Sequence, residues 1–206
     1  MQIATFNVNG IKARLETVAA WLRETAPDVA LLQEIKSVDE AFPAAPFEDL
    51  GYNVETHGQK GFNGVAILSK RPLEDVVRGL PGDEGDEQAR WIEATVTGRS
   101  AIRLCCLYLP NGNPAPGPKY DYKLGWMTRL EARARALLAA EEPALMAGDY
   151  NVIPQDEDAA RPEAWAEDAL ALPQSRAAFR RVAGCSHILP FIAGARTTGV
   201  VRGRAR

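Results

Sequence analysis

Gly148-Asp149-Tyr150-Asn151-Val152-Ile153-Pro154 follows directly on an apolar run, Ala144 to Ala147, and leads into a polar loop that contains proline. This pattern predicts a buried strand that stops abruptly at a surface cleft. Gly148 allows the backbone to bend or to approach another group closely. Asp149 and Asn151 are two apart, so on a continuing strand they share one side. A carboxylate and a carboxamide together at a buried strand end cost free energy unless something pairs with them. A hard cation and a phosphate would do so, because such cations take oxygen ligands. Asp and Asn are equally at home in a simple turn, so the other strand ends have to decide between the two.

Working outward, Gln2 to Val8 reads as a strand that ends in Asn7-Val8-Asn9-Gly10. Lys12 to Ala26 reads as a helix with Leu15, Val18, Ala19 and Leu22 as its apolar stripe, stopped by Pro27. Val29 to Leu32 is apolar on both faces, as in a buried strand, and runs into Gln33-Glu34. Residues 37–51 read as a loop. Tyr52 to Thr56 and Gly64 to Ser69 read as strands joined by a Gly-rich connection that holds His57, which is expected at the surface. Val76-Val77, Arg90 to Val96 and Ala101 to Leu109 read as further strands, and Gly82 to Gln88 as an acidic surface loop. Pro110 to Pro118 holds four prolines and two glycines, which makes it a loop. Lys119 to Glu141 reads as the longest helix, with Met127, Leu130, Ala134, Leu137 and Leu138 on one face. Residues 154–174 read as an acidic loop, and Ser175 to Arg181 starts another helix. Many short strands with few helices fit two packed sheets flanked by helices, an α/β architecture.

The bulk properties narrow the function classes. A chain of 206 residues suits one domain with a sizeable core. No apolar run reaches membrane-spanning length. The start, Met1-Gln2-Ile3-Ala4, lacks the basic region of a signal peptide, so a cytoplasmic protein is expected. Cys105, Cys106 and Cys185 have no metal-ligand or disulfide spacing; the first two read as core thiols in a reducing compartment. Residues 1–181 carry 20 basic and 27 acidic residues, a net −7, while 182–206 hold four arginines and no acid. An acidic body argues against nucleic-acid binding by bulk charge and suits a metal-dependent site with local basic contacts.

Four strand ends carry polar residues where core chemistry gives way to solvent: Asn7 with Asn9, Glu34, Tyr108 with Asn111, and Asp149 with Asn151. Each alone has a plain structural explanation. Together they supply two carboxylates, several amides and a phenol, an inventory suited to metal-assisted attack of water on a phosphodiester.

Five pieces resemble the exonuclease III / AP endonuclease family, in that family's order and approximate spacing. They are Thr5-Phe6-Asn7-Val8-Asn9-Gly10-Ile11, Leu31-Leu32-Gln33-Glu34-Ile35-Lys36, Gly61-Phe62-Asn63-Gly64-Val65-Ala66-Ile67-Leu68-Ser69-Lys70, Leu107-Tyr108-Leu109-Pro110-Asn111-Gly112 and Gly148-Asp149-Tyr150-Asn151. The resemblance implies a four-layered α/β sandwich of two mixed sheets flanked by helices. It also implies DNA-repair phosphodiesterase chemistry with Mg2+ or Mn2+, on double-stranded DNA with abasic sites or 3′ ends, by a monomer with no membrane partner. Carried onto this chain, it implies that Glu34 ligates the metal, with Asn7, Asp149 and Asn151 completing its surroundings. Asp149 would orient and deprotonate the attacking water, and Asn151 would stabilise the transition state. Tyr108 would place its phenol on the phosphate or leaving oxygen, and Asn111 would contact phosphate. Apart from the resemblance, Lys12, Lys60, Arg90 and Lys119 are candidates for local DNA contacts, each with a solvated surface cation as the simpler reading.

The motif-by-motif resemblance stops at Arg181. The family's later elements are an aromatic segment lining the abasic-sugar pocket, an Arg-Ile-Asp-His-like strand and a Ser-Asp-His ending. None is found, and Cys185-Ser186-His187 is not that ending because no Asp precedes the His. Residues 1–181 are therefore expected to form a domain incomplete at its C-terminus, and 182–206 a poorly ordered extension or a basic arm. The alternatives to a DNA-repair nuclease are an inactive or unstable fragment, and a phosphodiesterase or phosphatase of the same superfamily acting on a lipid or inositol headgroup.

Overall fold

Alternation along the strands gives each of two sheets two faces. The computed structural model describes residues 1–98 and 100–185 and the backbone of 199–202. Gln2–Asn7 (β1), Val29–Gln33 (β2), Asn53–His57 (β3), Val65–Ser69 (β4) and Gly199–Arg202 (β9) form one sheet in the order β3-β4-β2-β1-β9. Leu73–Arg78 (β5), Trp91–Val96 (β6), Ile102–Tyr108 (β7) and Ala144–Asp149 (β8) form the other in the order β5-β6-β7-β8. Ile3, Val29, Leu31, Val65 and Ile67 of the first pack against Ile92, Ala94, Val96, Leu104 and Cys106 of the second. The intervening residues face outward, as a period of two requires. Ala30, Leu32, Ala66 and Leu68 meet Val18, Ala19 and Leu22 of Leu15–Thr25 (α1), with Phe47 of Ala45–Glu48 (α2) in the same cluster. Trp91, Cys105, Leu107 and Met146 meet Trp126, Met127 and Leu130 of Pro118–Ala139 (α3) and Phe179 and Val182 of Pro173–Gly184 (α4). The layers run helix, sheet, sheet, helix, and each fully buried large apolar side chain contributes about 1.5–3 kcal/mol.

The helix boundaries follow from local chemistry. Ala26 takes a left-handed conformation, φ 44°, and its N–H bonds Leu22 O, which closes α1 just before Pro27. Pro118 opens α3, where a missing N–H costs nothing. Both β1/β2 and β7/β8 are parallel, and Asn7 lies opposite Gln33 as Tyr108 lies opposite Asp149. Among the described residues no helix is long and apolar enough to cross a membrane.

Several boundaries differ from those read in the sequence. Residues 37–51 include the short helix α2, formed around the buried Phe47. The strand at Val76-Val77 is β5, six residues long, with a bulge between Glu74 and Val77 that hides its alternation. Leu138 is 55% exposed, and Leu137 packs on the core in its place. His57 is not a free surface residue: it ends β3, half-buried, with Nδ1 3.0 Å from Trp91 O. Val182 is buried in α4, which continues to Gly184, and Gly199–Arg202 pairs antiparallel with β1. The rest of the expected extension, 186–198 and 203–206, lies outside the described residues.

One buried charge cluster ties α3 to its sheet. Glu93, on the outward face of β6, is 1% exposed, with Oε1 2.8 Å from Arg103 Nη2 and Oε2 3.0 Å from Arg133 Nε. Burial pushes its pKa up, but the bonds and charges of Arg133 and Arg103 outweigh this and hold it below its ordinary value of 4.5. A depressed carboxyl stabilises the fold above its unfolded pKa, and that contribution is lost as pH falls through the folded pKa. Glu93→Gln is therefore expected to cost about 3–5 kcal/mol at pH 7, because two arginines lose their counter-charge. In denaturant titrations the gap from the parent should narrow as pH is lowered below 4.5. A constant gap would mean that the ion cluster is not its source.

Candidate active site

Alternation also delivers the polar residues to one place. Ile3, Thr5 and Asn7 lie on the inter-sheet face of β1, as Leu104, Cys106 and Tyr108 do on β7 and Leu145, Ala147 and Asp149 on β8. At the strand ends the sandwich opens and the apolar residues give way to these polar ones. Asn7 Nδ2 lies 2.8 Å from Glu34 Oε1 and 2.9 Å from Asp149 Oδ2, so one carboxamide bridges carboxylates from opposite sheets. The Asn9 N–H donates to Asn7 Oδ1 at 3.1 Å, which turns the amide's NH2 toward the two acids. Beneath them, Gln33 Nε2 donates to Thr5 Oγ1 at 3.1 Å and to Leu31 O at 3.0 Å, a buried polar floor linking β1 and β2.

Glu34 reaches the site by breaking the alternation. Gln33 faces the inter-sheet layer, so a continuing strand would aim Glu34 outward. Its φ of 52° ends the strand and turns its carboxylate toward Asn7. Lys36 Nζ sits 3.0 Å from Glu34 Oε2 and 2.5 Å from Asn9 Oδ1.

Gly148 is required for close approach: a Cβ there would lie 2.0 Å from Leu107 O. The strand stops at Asp149, so Asn151 does not share its side by strand geometry. Instead Asn151 turns left-handed, φ 45°, its N–H donates to Asp149 Oδ1 at 3.0 Å, and its Nδ2 donates to Leu109 O at 2.8 Å. The two residues still meet, through a turn rather than a shared strand face.

The electrostatics separate the two acids. Burial raises Glu34, but the Asn7 amide and the bond and charge of Lys36 outweigh it, so its carboxyl lies below the ordinary value. Burial pushes Asp149 above its ordinary value; the Asn7 amide and the Asn151 N–H oppose this, and the charge of Glu34 adds to it. Paired acids whose environments push them apart take different roles. Tyr108 is raised by burial, by the Glu34 charge and by its hydrogen bond to Glu34, so it remains a protonated donor.

Of the residues singled out in the sequence, Asn7, Glu34, Tyr108, Asp149 and Asn151 form one cluster. Arg90 joins it half-buried, its guanidinium carbon 5.0 Å from the Tyr108 ring centroid and its Nε 2.8 Å from Gln88 Oε1. Asn111 is exposed on the adjoining loop, and its Oδ1 accepts the Asn113 N–H at 3.1 Å. Lys12, Lys60 and Lys119 are exposed and outside the cluster.

Two lysines went unrecognised. Lys36 had its position two residues past Glu34 as a signal. Lys123 is 0% exposed on α3, among the buried Tyr120, Trp126 and Met127, and a cation on a helix's apolar stripe was the available clue. Burial pushes it down to about 8, against the charges of Asp168 and Asp149.

Among the described residues no group of three or more His, Cys, Asp or Glu is placed to hold a metal ion. The anionic donors here are the carboxylates of Glu34 and Asp149. An amide NH2 already lies between the carboxylates where positive charge would be favourable. Such a set fits a hard divalent cation that keeps several of its waters and shares the rest with a phosphate.

Comparison with known proteins agrees with this geometry. Residues 4–203 match the Endonuclease/Exonuclease/phosphatase family, past the point where the separate motifs stop. Exodeoxyribonuclease III of Haemophilus influenzae is 38% identical over 160 residues, 77% of this chain and 60% of that enzyme, so the chain spans about three fifths of its length. An AP endonuclease from Archaeoglobus fulgidus superimposes with a TM-score of 0.83 at 37% identity, over 89% of this chain and 70% of that one. A 3′ phosphatase from Neisseria bound to product DNA hairpin gives 0.83 at 34% identity, over 90% and 71%. The chain belongs to the endonuclease/exonuclease/phosphatase family.

Proposed function

We propose that this chain is a divalent-metal-dependent phosphodiesterase of the exodeoxyribonuclease III type, acting on abasic sites and 3′ ends of double-stranded DNA. The observation that carries this reading is the Asn7 amide joining Glu34 and Asp149, acids whose surroundings drive them in opposite directions. That the relatives are an exodeoxyribonuclease III, an AP endonuclease and a 3′ phosphatase bound to product DNA hairpin supports the choice of substrate. Three free, buried cysteines suit a reducing compartment such as the cytoplasm.

A cation held by Glu34, with Asn7, Asp149 and Asn151 around it, would neutralise charge developing on the phosphate. Asp149, raised by burial, accepts the proton of a water as its oxygen bonds to phosphorus and the bond to the leaving sugar oxygen breaks. Tyr108 donates its O–H to the phosphate or leaving oxygen. The Asn7 and Asn151 amides are held in place before the reaction, which is what makes such dipoles effective. Asn111 contacts phosphate at the rim, with Lys12, Arg90 and Lys119 along the duplex.

Excess EDTA is expected to abolish cleavage, and Mg2+ or Mn2+ to restore it; full activity in chelator would sink the metal assignment. The substrate is tested with a duplex carrying one abasic site, a duplex with free 3′ ends and an inositol phosphate, each at equal total phosphate concentration. Turnover of the DNA substrates is expected. Turnover of the headgroup alone would move the chain to another branch of the family.

A further inference from the structure

We propose that Lys123 is a positioning residue: its ammonium clamps the carbonyls of Asn111 and Asn151 and holds the loops after β7 and β8 at a fixed separation on the phosphate-binding rim. Lys123 Nζ lies 3.0 Å from Asn111 O and 2.6 Å from Asn151 O. A lysine with no exposed surface is rare unless its donors are paired. Here the partners are two backbone carbonyls at the ends of neighbouring parallel strands. The β7/β8 pairing ends where Leu109 N–H donates to Asp149 O at 2.8 Å. Beyond that point, this side chain of α3 hydrogen-bonds both loops. The stem matters as well as the charge. Gly112, φ +91°, lies on it so closely that a Cβ would be 2.6 Å from Lys123 Cδ and 3.3 Å from its Cβ. The bond to Asn151 O also fixes the turn whose N–H bonds Asp149 and whose Nδ2 bonds Leu109 O. Lys123 therefore acts through Asn111 and Asn151, without touching the reacting phosphate.

This inference rests on the phosphodiesterase reading for its kinetic part only. Lys123→Met keeps most of the stem and removes the donor. Amide hydrogen exchange of Asn113, Asn151 and Ile153 should quicken by about 10- to 100-fold, the factor for losing a hydrogen bond to a charged group. Exchange in β6 and along the middle of α3 should stay unchanged. On DNA, kcat should fall about 100-fold with KM nearly constant, as for a displacement of about 1 Å at the reacting groups. Unchanged exchange in both loops would overturn the proposal. So would loss of protection spread evenly over the molecule, or loosened loops with an unchanged kcat. If Lys123→Met does not fold, Lys123→Gln, which is too short to span both carbonyls, is read by the same measures. A parent chain that folds and cuts no phosphodiester would refute the proposed function, and the exchange data would still decide the clamp.

Discussion

Replacing Asp149 by asparagine is expected to slow single-turnover phosphodiester cleavage by about 10²–10⁴-fold, the range contributed by a positioned general base. The substitution preserves shape, so the effect isolates chemistry. Asp149 accepts from the Asn7 amide through Oδ2 at 2.9 Å and from the Asn151 N–H through Oδ1 at 3.0 Å. An asparagine there offers one acceptor where two are needed, so one donor faces another. It also has no lone pair basic enough to take a proton from water. Affinity for DNA should change little, because phosphate contacts set it and lie elsewhere on the rim. A binding titration run beside the rate measurement separates the two, and an unchanged rate would remove Asp149 from the mechanism.

Gly148→Ala is the substitution expected to damage the fold and the site together. The added Cβ would meet Leu107 O at 2.0 Å and the Leu107 backbone carbon and nitrogen at 2.9 Å. These are atoms of the neighbouring strand, which cannot swing away as a side-chain end would. The φ of +150° is itself unfavourable for any residue with a Cβ. Overpacking costs about 1–3 kcal/mol and a sparsely populated backbone conformation about 1–3 kcal/mol, against a net stability of about 5–15 kcal/mol. The β7/β8 ladder would have to open beside Tyr108 and Asp149. The expected result is a much lower thermal midpoint with cleavage lost in whatever remains folded. A variant that melts with the parent would show that the close approach at Gly148 is not needed.

The strands, the long helices and the two-sheet architecture were legible because burial and alternation act locally. Val29 to Leu32 could only be a buried strand, and the stripe in α1 could only face a sheet. The convergence of Asn7, Tyr108 and Asp149 was legible for the same reason: a polar residue in phase with an inter-sheet face, at a strand end, has one place to go. What escaped depended on breaks in phase or on distant partners. Glu34 was named from its place at a strand end, but the left-handed turn that carries it to the site is a break in phase that the pattern does not show. The bulge in β5 scrambles its period, and the partner of His57, Trp91, lies 34 residues away. Lys123 was not singled out, because a lysine on a helix is usually solvated and its two carbonyl partners come from loops 12 and 28 residues distant.

The most direct test is to incubate the purified 206-residue chain, shown by a cooperative melt to be folded, with a duplex that carries a single abasic site. The account predicts a strand break that needs Mg2+ or Mn2+ and is lost both in EDTA and in Asp149→Asn prepared in parallel. A folded chain that leaves the duplex intact with metal present, or a break that persists without metal or without the Asp149 carboxylate, would contradict it.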